Sequence, residues 1–421
     1  MRTALSAVTL AAIDARLAGT DRLLATAYPG DDGSRQPVHT VYVPADRYTP
    51  ELPAVWGRDA LAAVDSAGGA EKVARAVGLD DATAAAVASA VEQKLLLEPI
   101  EDLRVDFEDG YGARGDDVED ADAVRAAKRV IAAEGAGFAP PFVGIRIKSF
   151  EAATRARGIR TLDLFITALI EHGGLPDGLA LTLPKVSTVS QVEAMADATA
   201  ALERAHGLPD GRLRFEVQVE TPQVVLGADG RSPLVQLATA VPGRISGLHY
   251  GTYDYSAALG IAARYQSMEH PAADLAKGLM QVAVAGTGIR LSDGSTNVLP
   301  VGGGTLDAWR LHARLVRRSL ERGFPQGWDL HPHQLPTRFI ATYAFYREGY
   351  AEASARLRDA LGGAPRGAGP VLDEPATIRA LAGFVLRGVR CGAILPGEVS
   401  ADTGLDEAAL VALAHPRRAT T

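Results

Sequence analysis

The sequence predicts an α/β protein built as a (β/α)8 TIM barrel, and three observations predict it. Eight short β-like runs recur along the 421 residues, separated by Ala-rich, charge-studded stretches that read as helices. From the second run onward their starts fall about thirty to forty-five residues apart, the size of one strand–helix unit. Several runs also alternate strictly between apolar and polar residues, which in a barrel divides an outer face from a bore. A doubly wound sheet is the competing architecture, and no Gly-rich turn follows the first strand to support it.

The elements follow in order. Arg2 and the stretch Ala4 to Ile13 faintly mimic a secretory leader. Asp14 and Arg16 interrupt it, and Leu10, Ile13 and Leu17 continue at helical spacing, so an amphipathic N-terminal helix is the better reading. The first strand is His39–Pro44 (HTVYVP). The chain from about 46 to 102 is longer than one crossover needs, and Gly69–Ala76 and Asp81–Leu97 read as helices of an insertion. The remaining strands are Leu103–Asp109, Phe142–Lys148, Leu179–Lys185, Arg214–Glu220, Arg244–Tyr250, Gly288–Ser292 and Trp328–His331. The barrel with its N-terminal extension and insertion is expected over 1–345, and a mostly helical C-terminal segment over 346–421. Gly362–Gly369 (GGAPRGAG) is the clearest loop.

Parity within the strands places side chains. Phe215, Val217 and Val219 alternate with Glu216, Gln218 and Glu220; Val143, Ile145 and Ile147 alternate with Gly144, Arg146 and Lys148. Leu103, Val105 and Phe107 alternate in the same way with Arg104, Asp106 and Glu108. A half-exposed antiparallel strand would explain any one of these. In a barrel the apolar set faces the helices, and the polar set lines the bore up to the C-terminal mouth, where barrel enzymes place their chemistry.

Composition excludes other classes. Hydrophobic residues make up 47% and charged residues 22%, enough for a core and too apolar for disorder. The net charge of −8 argues against a general affinity for nucleic acid or an anionic membrane, and no apolar run is long enough to cross a bilayer. A single cysteine, Cys391, excludes intrachain disulfides and favours a reducing, cytoplasmic setting.

Glu220 closes the fifth strand and Asp254 follows the sixth. Two carboxylates from neighbouring strand ends suit a hard cation such as Mg2+, with Mn2+ as the alternative ion. The competing reading makes Glu220 a cap or salt-bridge residue and Asp254 a helix N-cap. Arg146, inward near the end of the third strand, suits bidentate binding of a substrate carboxylate or carbonyl oxygen, or equally an ion pair with Asp106 or Glu108. Asp106, Glu108 and Asp109 crowd one strand end and need water, basic partners or a cation. His331 and His333 lack the helical spacing of zinc hydrolases, and Gly302-Gly303-Gly304 lacks the Lys-Ser/Thr of a phosphate loop.

Together these residues resemble the HpcH/HpaI aldolase and citrate lyase β-subunit superfamily. Val41-Tyr42-Val43-Pro44-Ala45-Asp46-Arg47 is similar to its first-strand segment, Asp106-Phe107-Glu108-Asp109 to its DxED, and Gly144-Ile145-Arg146-Ile147 to its third-strand arginine. Leu183-Pro184-Lys185-Val186 resembles LPKV, Glu220-Thr221 the fifth-strand ET, Gly251 to Gly260 the segment after strand six, and His331-Pro332-His333-Gln334 the HPxQ after strand eight. The resemblance implies that Glu220 and Asp254 hold Mg2+ or a similar ion, and that Arg146 contacts the enolate oxygen or carboxylate of the substrate. It places Glu108 and Lys185 at the substrate as well. Asp109 falls where the citrate lyase branch has aspartate and the HpaI branch its catalytic histidine. Val371-Leu372-Asp373-Glu374-Pro375 resembles the acid/base segment of the malate synthase and malyl-CoA branch, making Asp373 a second candidate, with a helix N-cap as its competing reading.

The implied activity is a divalent-metal-dependent carbon–carbon lyase or aldolase, acting through an enolate on a small 2-oxo acid, hydroxy acid or acyl-CoA thioester. The enzymatic alternative is a malate-synthase-like Claisen condensation or thioester hydrolysis, and the alternative of another class is a non-catalytic metabolite-binding barrel. The family resemblance also implies a homo-oligomer. Lys148 stands where the family usually has asparagine, Thr221-Pro222-Gln223 replaces small residues, and His333 is bulkier than its usual counterpart. These departures lie near the mouth and bear on substrate identity.

Overall fold

Eight parallel strands lie side by side in the order β7-β6-β5-β4-β3-β2-β1-β8. They are β1 (His39–Pro44), β2 (Asp102–Asp106), β3 (Phe142–Arg146), β4 (Leu179–Leu183), β5 (Phe215–Val219), β6 (Ile245–Tyr250), β7 (Arg290–Ser292) and β8 (Gly327–Asp329). The seam between β7 and β8 is bridged at Ser292 and Gln326, and Trp328 N–H donates to the Gly294 carbonyl at 3.0 Å. The result is the expected (β/α)8 barrel, in a computed structural model that describes residues 4–362 and 374–415.

The strands stop earlier than their sequence patterns suggest. Pairing in β2, β4 and β5 ends at Asp106, Leu183 and Val219, because side chains then take over the backbone donors. Asp106 accepts from Glu108 N–H at 3.0 Å and from Gly110 N–H at 2.9 Å, and Glu220 accepts from Lys185 N–H at 2.7 Å. Carboxylates at the mouth thus convert strand ends into shaped loops.

The apolar and polar sets of each strand take opposite sides of the barrel wall. Leu103, Val105, Phe107, Val143, Ile145, Val217 and Val219 are buried in the layer between sheet and helices. The other set fills the bore: Arg104 of β2 reaches Thr182 of β4 at 3.1 Å and Glu216 of β5 at 2.6 Å, and also bonds Asp102. Gly144 is required at the β3–β4 contact, since a Cβ there would sit 1.7 Å from the Ala180 carbonyl oxygen.

The insertion forms three helices, Leu52–Ser66, Ala70–Ala76 and Asp81–Leu97, the last capped by the Asp80 side chain. Val64, Val87, Val91 and Leu95 share a second core with Phe339, Ile340, Tyr343 and Leu386 of the helices Leu335–Leu361 and Pro375–Arg390. Leu335–Leu361 is one continuous helix through position 345, so no break in the chain marks the expected boundary there. Gly302–Gly304 is a single 3-10 turn leading into the helix Thr305–Glu321. Past Gly362 the expected loop lies outside the described residues, as does Asp373.

The N-terminal helix forms over Ala7–Ala27, with Ser6 accepting from Thr9 N–H, yet it buries no residue. Leu10, Ile13 and Leu17 remain 48%, 43% and 47% exposed, so the apolar seam covers nothing in this chain. Among the described residues no helix is long and apolar enough to cross a membrane.

Candidate active site

The C-terminal ends of β2 to β6 bring the predicted side chains together. Arg146 ends β3 and grips Asp106, the last residue of β2, through Nε at 2.7 Å and Nη2 at 2.9 Å. Its Nη1 lies 3.5 Å from Glu108, and the guanidinium sits 4.7 Å over the Tyr42 ring. Both ion pairs left open by the sequence are therefore formed. Burial opposes the charge on Arg146, but the carboxylate of Asp106 outweighs it and holds the group well above its ordinary pKa.

Lys185 links the cluster. It has φ 51°, the one left-handed non-glycine among the described residues, a conformation that costs roughly 1 kcal/mol or more for such a residue. The Glu220 bond to its N–H holds the kink. Its ammonium pairs with Glu108 and with Asp109 at 2.9 Å, and lies 3.8 Å from Asp254 Oδ2. Burial lowers the pKa of Lys185, yet its bonds to the two acids raise it overall. Burial raises that of Glu108. For Asp109 burial is outweighed by Lys185, which holds the carboxyl below its usual range.

Glu220 is 3% exposed. Its carboxyl is pushed up from 4.5 to about 7, first by burial and then by the negative charge of Asp254, against the pull of Arg146 and Lys185. Gly251 permits this placement, because a Cβ there would lie 2.7 Å from Glu220 Oε2. Gly251 itself is the N-cap of the helix Thr252–Ala258, and Asp254 stands in the first turn rather than at the cap. Asp254 is 46% exposed at its side chain.

These two carboxylates fit a cation. A carboxyl raised to about 7, first by burial and further by a second acid, gains from a cation beside it, and Mg2+ takes one or two protein carboxylates and completes its octahedron with water and substrate oxygens. Among the described residues no group of three or more His, Cys, Asp and Glu is arranged to hold a metal, so a protein-saturated zinc-type site is not present there. His331 and His333 serve the loop instead: His331 Nδ1 accepts from His333 N–H at 3.1 Å, and His333 Nδ1 lies 3.1 Å from the Pro300 carbonyl.

Lys148, the departure at the end of the third run, donates to the Phe107 carbonyl at 2.6 Å and pairs with Glu119 at 2.7 Å, so it braces the acidic loop. Sequence reasoning missed Tyr42 and Trp328, whose rings meet at 4.6 Å beside Arg146; only the inward parity of Tyr42 could have marked it. A cavity of about 510 Å3 does not coincide with this site. It borders the starts of the strands, at the opposite end of the barrel.

Known proteins share this fold. L-malyl-CoA/β-methylmalyl-CoA lyase of Haloarcula marismortui is 36% identical over 111 residues, 26% of this chain and 29% of that protein. The chain thus matches less than a third of that relative's length. A citrate lyase from Burkholderia xenovorans LB400 is 18% identical and superposes with a TM-score of 0.58, covering 88% of this chain and 97% of the other. Haloferax volcanii malate synthase, solved as a lead(II) complex, is 17% identical with a TM-score of 0.50, covering 92% and 90%. These structures share the fold, in keeping with the superfamily that the motifs resemble. The family model described as a domain of unknown function, DUF6986, matches residues 17–418, and the chain belongs to that family.

Proposed function

We propose that this chain is a divalent-metal-dependent carbon–carbon lyase acting through an enolate on a small 2-oxo acid, a hydroxy acid or its CoA thioester. The observation that carries the reading is the buried Glu220 carboxyl, raised to about 7 beside Asp254, at the mouth where Arg146 and Lys185 converge. The partial likeness to a malyl-CoA lyase supports the same class.

Glu220 and Asp254 would hold Mg2+, or Mn2+ in its place, and a bound ion supplies Lewis-acid polarisation of substrate oxygens. The chain's own residues do the rest. Arg146 is pre-oriented by its two-pronged grip on Asp106, with Nη1 beside Glu108, and offers its positive charge to a developing enolate. Lys185 adds a second cation, anchored by Glu108 and Asp109. Cleavage of a β-hydroxy acyl substrate removes the hydroxyl proton, breaks the Cα–Cβ bond, releases the carbonyl fragment and leaves its electron pair in the enolate, which is then protonated. Asp109, held ionised by Lys185, is a weak base and a poor acid near neutral pH. The reading therefore assigns the proton transfer to Asp373 and makes Asp109 an anchor of Lys185. Self-association belongs to the same reading, with the exposed Leu10, Ile13 and Leu17 seam as a surface for it.

The test is product analysis with malyl-CoA, citramalyl-CoA and oxaloacetate, with Mg2+ or with chelator. Metal-dependent cleavage lost in Glu220→Ala and Asp373→Asn, and kept in Asp109→Asn, supports the reading. Release of free CoA thiol from acetyl-CoA and glyoxylate would point instead to condensation or thioester hydrolysis. Stoichiometric binding without turnover would make the barrel a binding protein.

A further inference from the structure

The basal cavity of about 510 Å3 takes no part in that chemistry. Its rim carries Phe142, Leu179, Arg214, Ile245 and Arg290, which begin or immediately precede β3 to β7. One wall is the connection from the N-terminal helix, at Pro29, Gly30 and Asp32. That wall is fastened, since Gly30 N–H donates to the Gly286 carbonyl at 2.7 Å. The close approach needs Gly288, whose φ is +79° and where a Cβ would fall 2.8 Å from the Gly30 oxygen.

The floor is the Arg104 cluster, whose charge is matched by Asp102 and Glu216. The walls differ. Arg212 donates to the Leu175 and Pro176 carbonyls at 3.3 and 2.6 Å, Arg214 to the Ile245 carbonyl at 3.1 Å, and Arg290 to Ser34 Oγ at 2.6 Å. These acceptors are neutral, with Asp32 and Asp177 as the acids of the wall, Asp32 accepting from Ser34 Oγ, and each guanidinium has five N–H donors, more than these bonds use. Arg290 is steadied by the Phe142 ring, 5.7 Å away. Burial and the positive charge of Arg290 lower the pKa of Arg214, so the two cations share one field, which Asp32 offsets only in part.

We propose that this basal cavity is a binding site for a small organic phosphate, with Arg214 and Arg290 taking the phosphate. Two guanidiniums lining one cavity, each bonded to a neutral acceptor, suit a dianion, and a phosphate offers oxygens to more than one fork. A monocarboxylate would offset only one. About 510 Å3 exceeds what the phosphate alone needs and falls within the range of small-molecule pockets. Ile245 and Leu179 provide apolar wall for the organic part.

Calorimetric titration of the full chain with inorganic phosphate and with pyrophosphate, in metal-free buffer, tests this. Saturable binding is expected, weakened about tenfold or more by Arg214→Gln or Arg290→Gln, the factor of one lost charged hydrogen bond. Ser246→Glu, which puts a carboxylate on the cavity lining while keeping every arginine, is expected to abolish it. Glu220→Gln, at the other end of the barrel, is expected to leave it unchanged. Melting curves identify any variant that fails to fold, and Ser246→Glu then decides alone. Absence of saturable binding in the wild type, binding that survives Ser246→Glu, or binding lost in Glu220→Gln would each overturn the proposal.

Discussion

Replacing Glu220 with glutamine removes a carboxyl that burial and Asp254 hold at the edge of ionisation. The folded protein raises this group from 4.5 to about 7, a difference worth on the order of 3 kcal/mol. Because the folded pKa lies above the unfolded one, the stabilisation from the bound proton is complete below pH 4.5 and is lost as pH rises through about 7. In metal-free protein, Glu220→Gln should therefore gain on the wild type between these limits and keep a constant advantage above them. A cation that needs the ionised carboxylate must displace the proton. Binding at pH 7 should release about half a proton per ion, nearly one at pH 6 and about a tenth at pH 8, given a pKa of about 7. Calorimetry with Mg2+ in two buffers of different ionisation heat measures that release, and chelator-treated melts measure the stability difference. Uptake of Mg2+ without proton release at pH 6, or equal Mg2+ affinity in Glu220→Gln, would refute the reasoning.

Arg146→Ala should lower the turnover rate roughly 100- to 1000-fold, as loss of a charge-stabilising donor does elsewhere. Arg146→Lys should not restore it, because a single ammonium cannot grip both oxygens of Asp106; initial rates on folded variants decide this. Arg104→Met leaves Asp102 and Glu216 opposed in the bore and should cost about 3–5 kcal/mol, read from denaturant melts. Gly144→Ala should prevent folding, since its Cβ would lie 1.7 Å from a neighbouring strand's carbonyl oxygen. A soluble, cooperatively melting Gly144→Ala protein would contradict the β3–β4 packing.

The barrel was legible because two independent periods agreed: the spacing of strand–helix units and the alternation within strands such as Phe215–Val219. What alternation could not reveal was where pairing stops, since Asp106 and Glu220 take loop N–H groups only once the chain has folded around them. The choice for Arg146 was open for a similar reason: Asp106 lies forty positions away in sequence and beside it in space. Nothing local announces the left-handed turn at Lys185, which depends on Glu220 from the next strand. Helical spacing of Leu10, Ile13 and Leu17 marked a helix correctly but not its exposure, because a seam reports what it could cover and not whether anything covers it. Arg214 and Arg290 belong to separate runs in the sequence, and only closure of the barrel places both on one cavity.

One continuous set of contacts joins the two ends of the bore. Arg104 meets Glu216 at 2.6 Å, and Glu216 meets His249 Nε2 at 3.0 Å. Trp328 Nε1 donates to His249 Nδ1 at 3.0 Å, its ring meets Tyr42 at 4.6 Å, and Tyr42 lies beneath Arg146. An indole nitrogen can only donate, so Nδ1 must accept, and the ring proton sits on Nε2, facing Glu216. The histidine is thereby fixed in one tautomer and one orientation. Asp102 and Glu216 share the guanidinium of Arg104, while the imidazole matches its one N–H to a carboxylate and its one lone pair to an indole. A bore lined this way stays polar with its charges partnered, which lets the outward apolar faces of the same strands carry the stability of the fold.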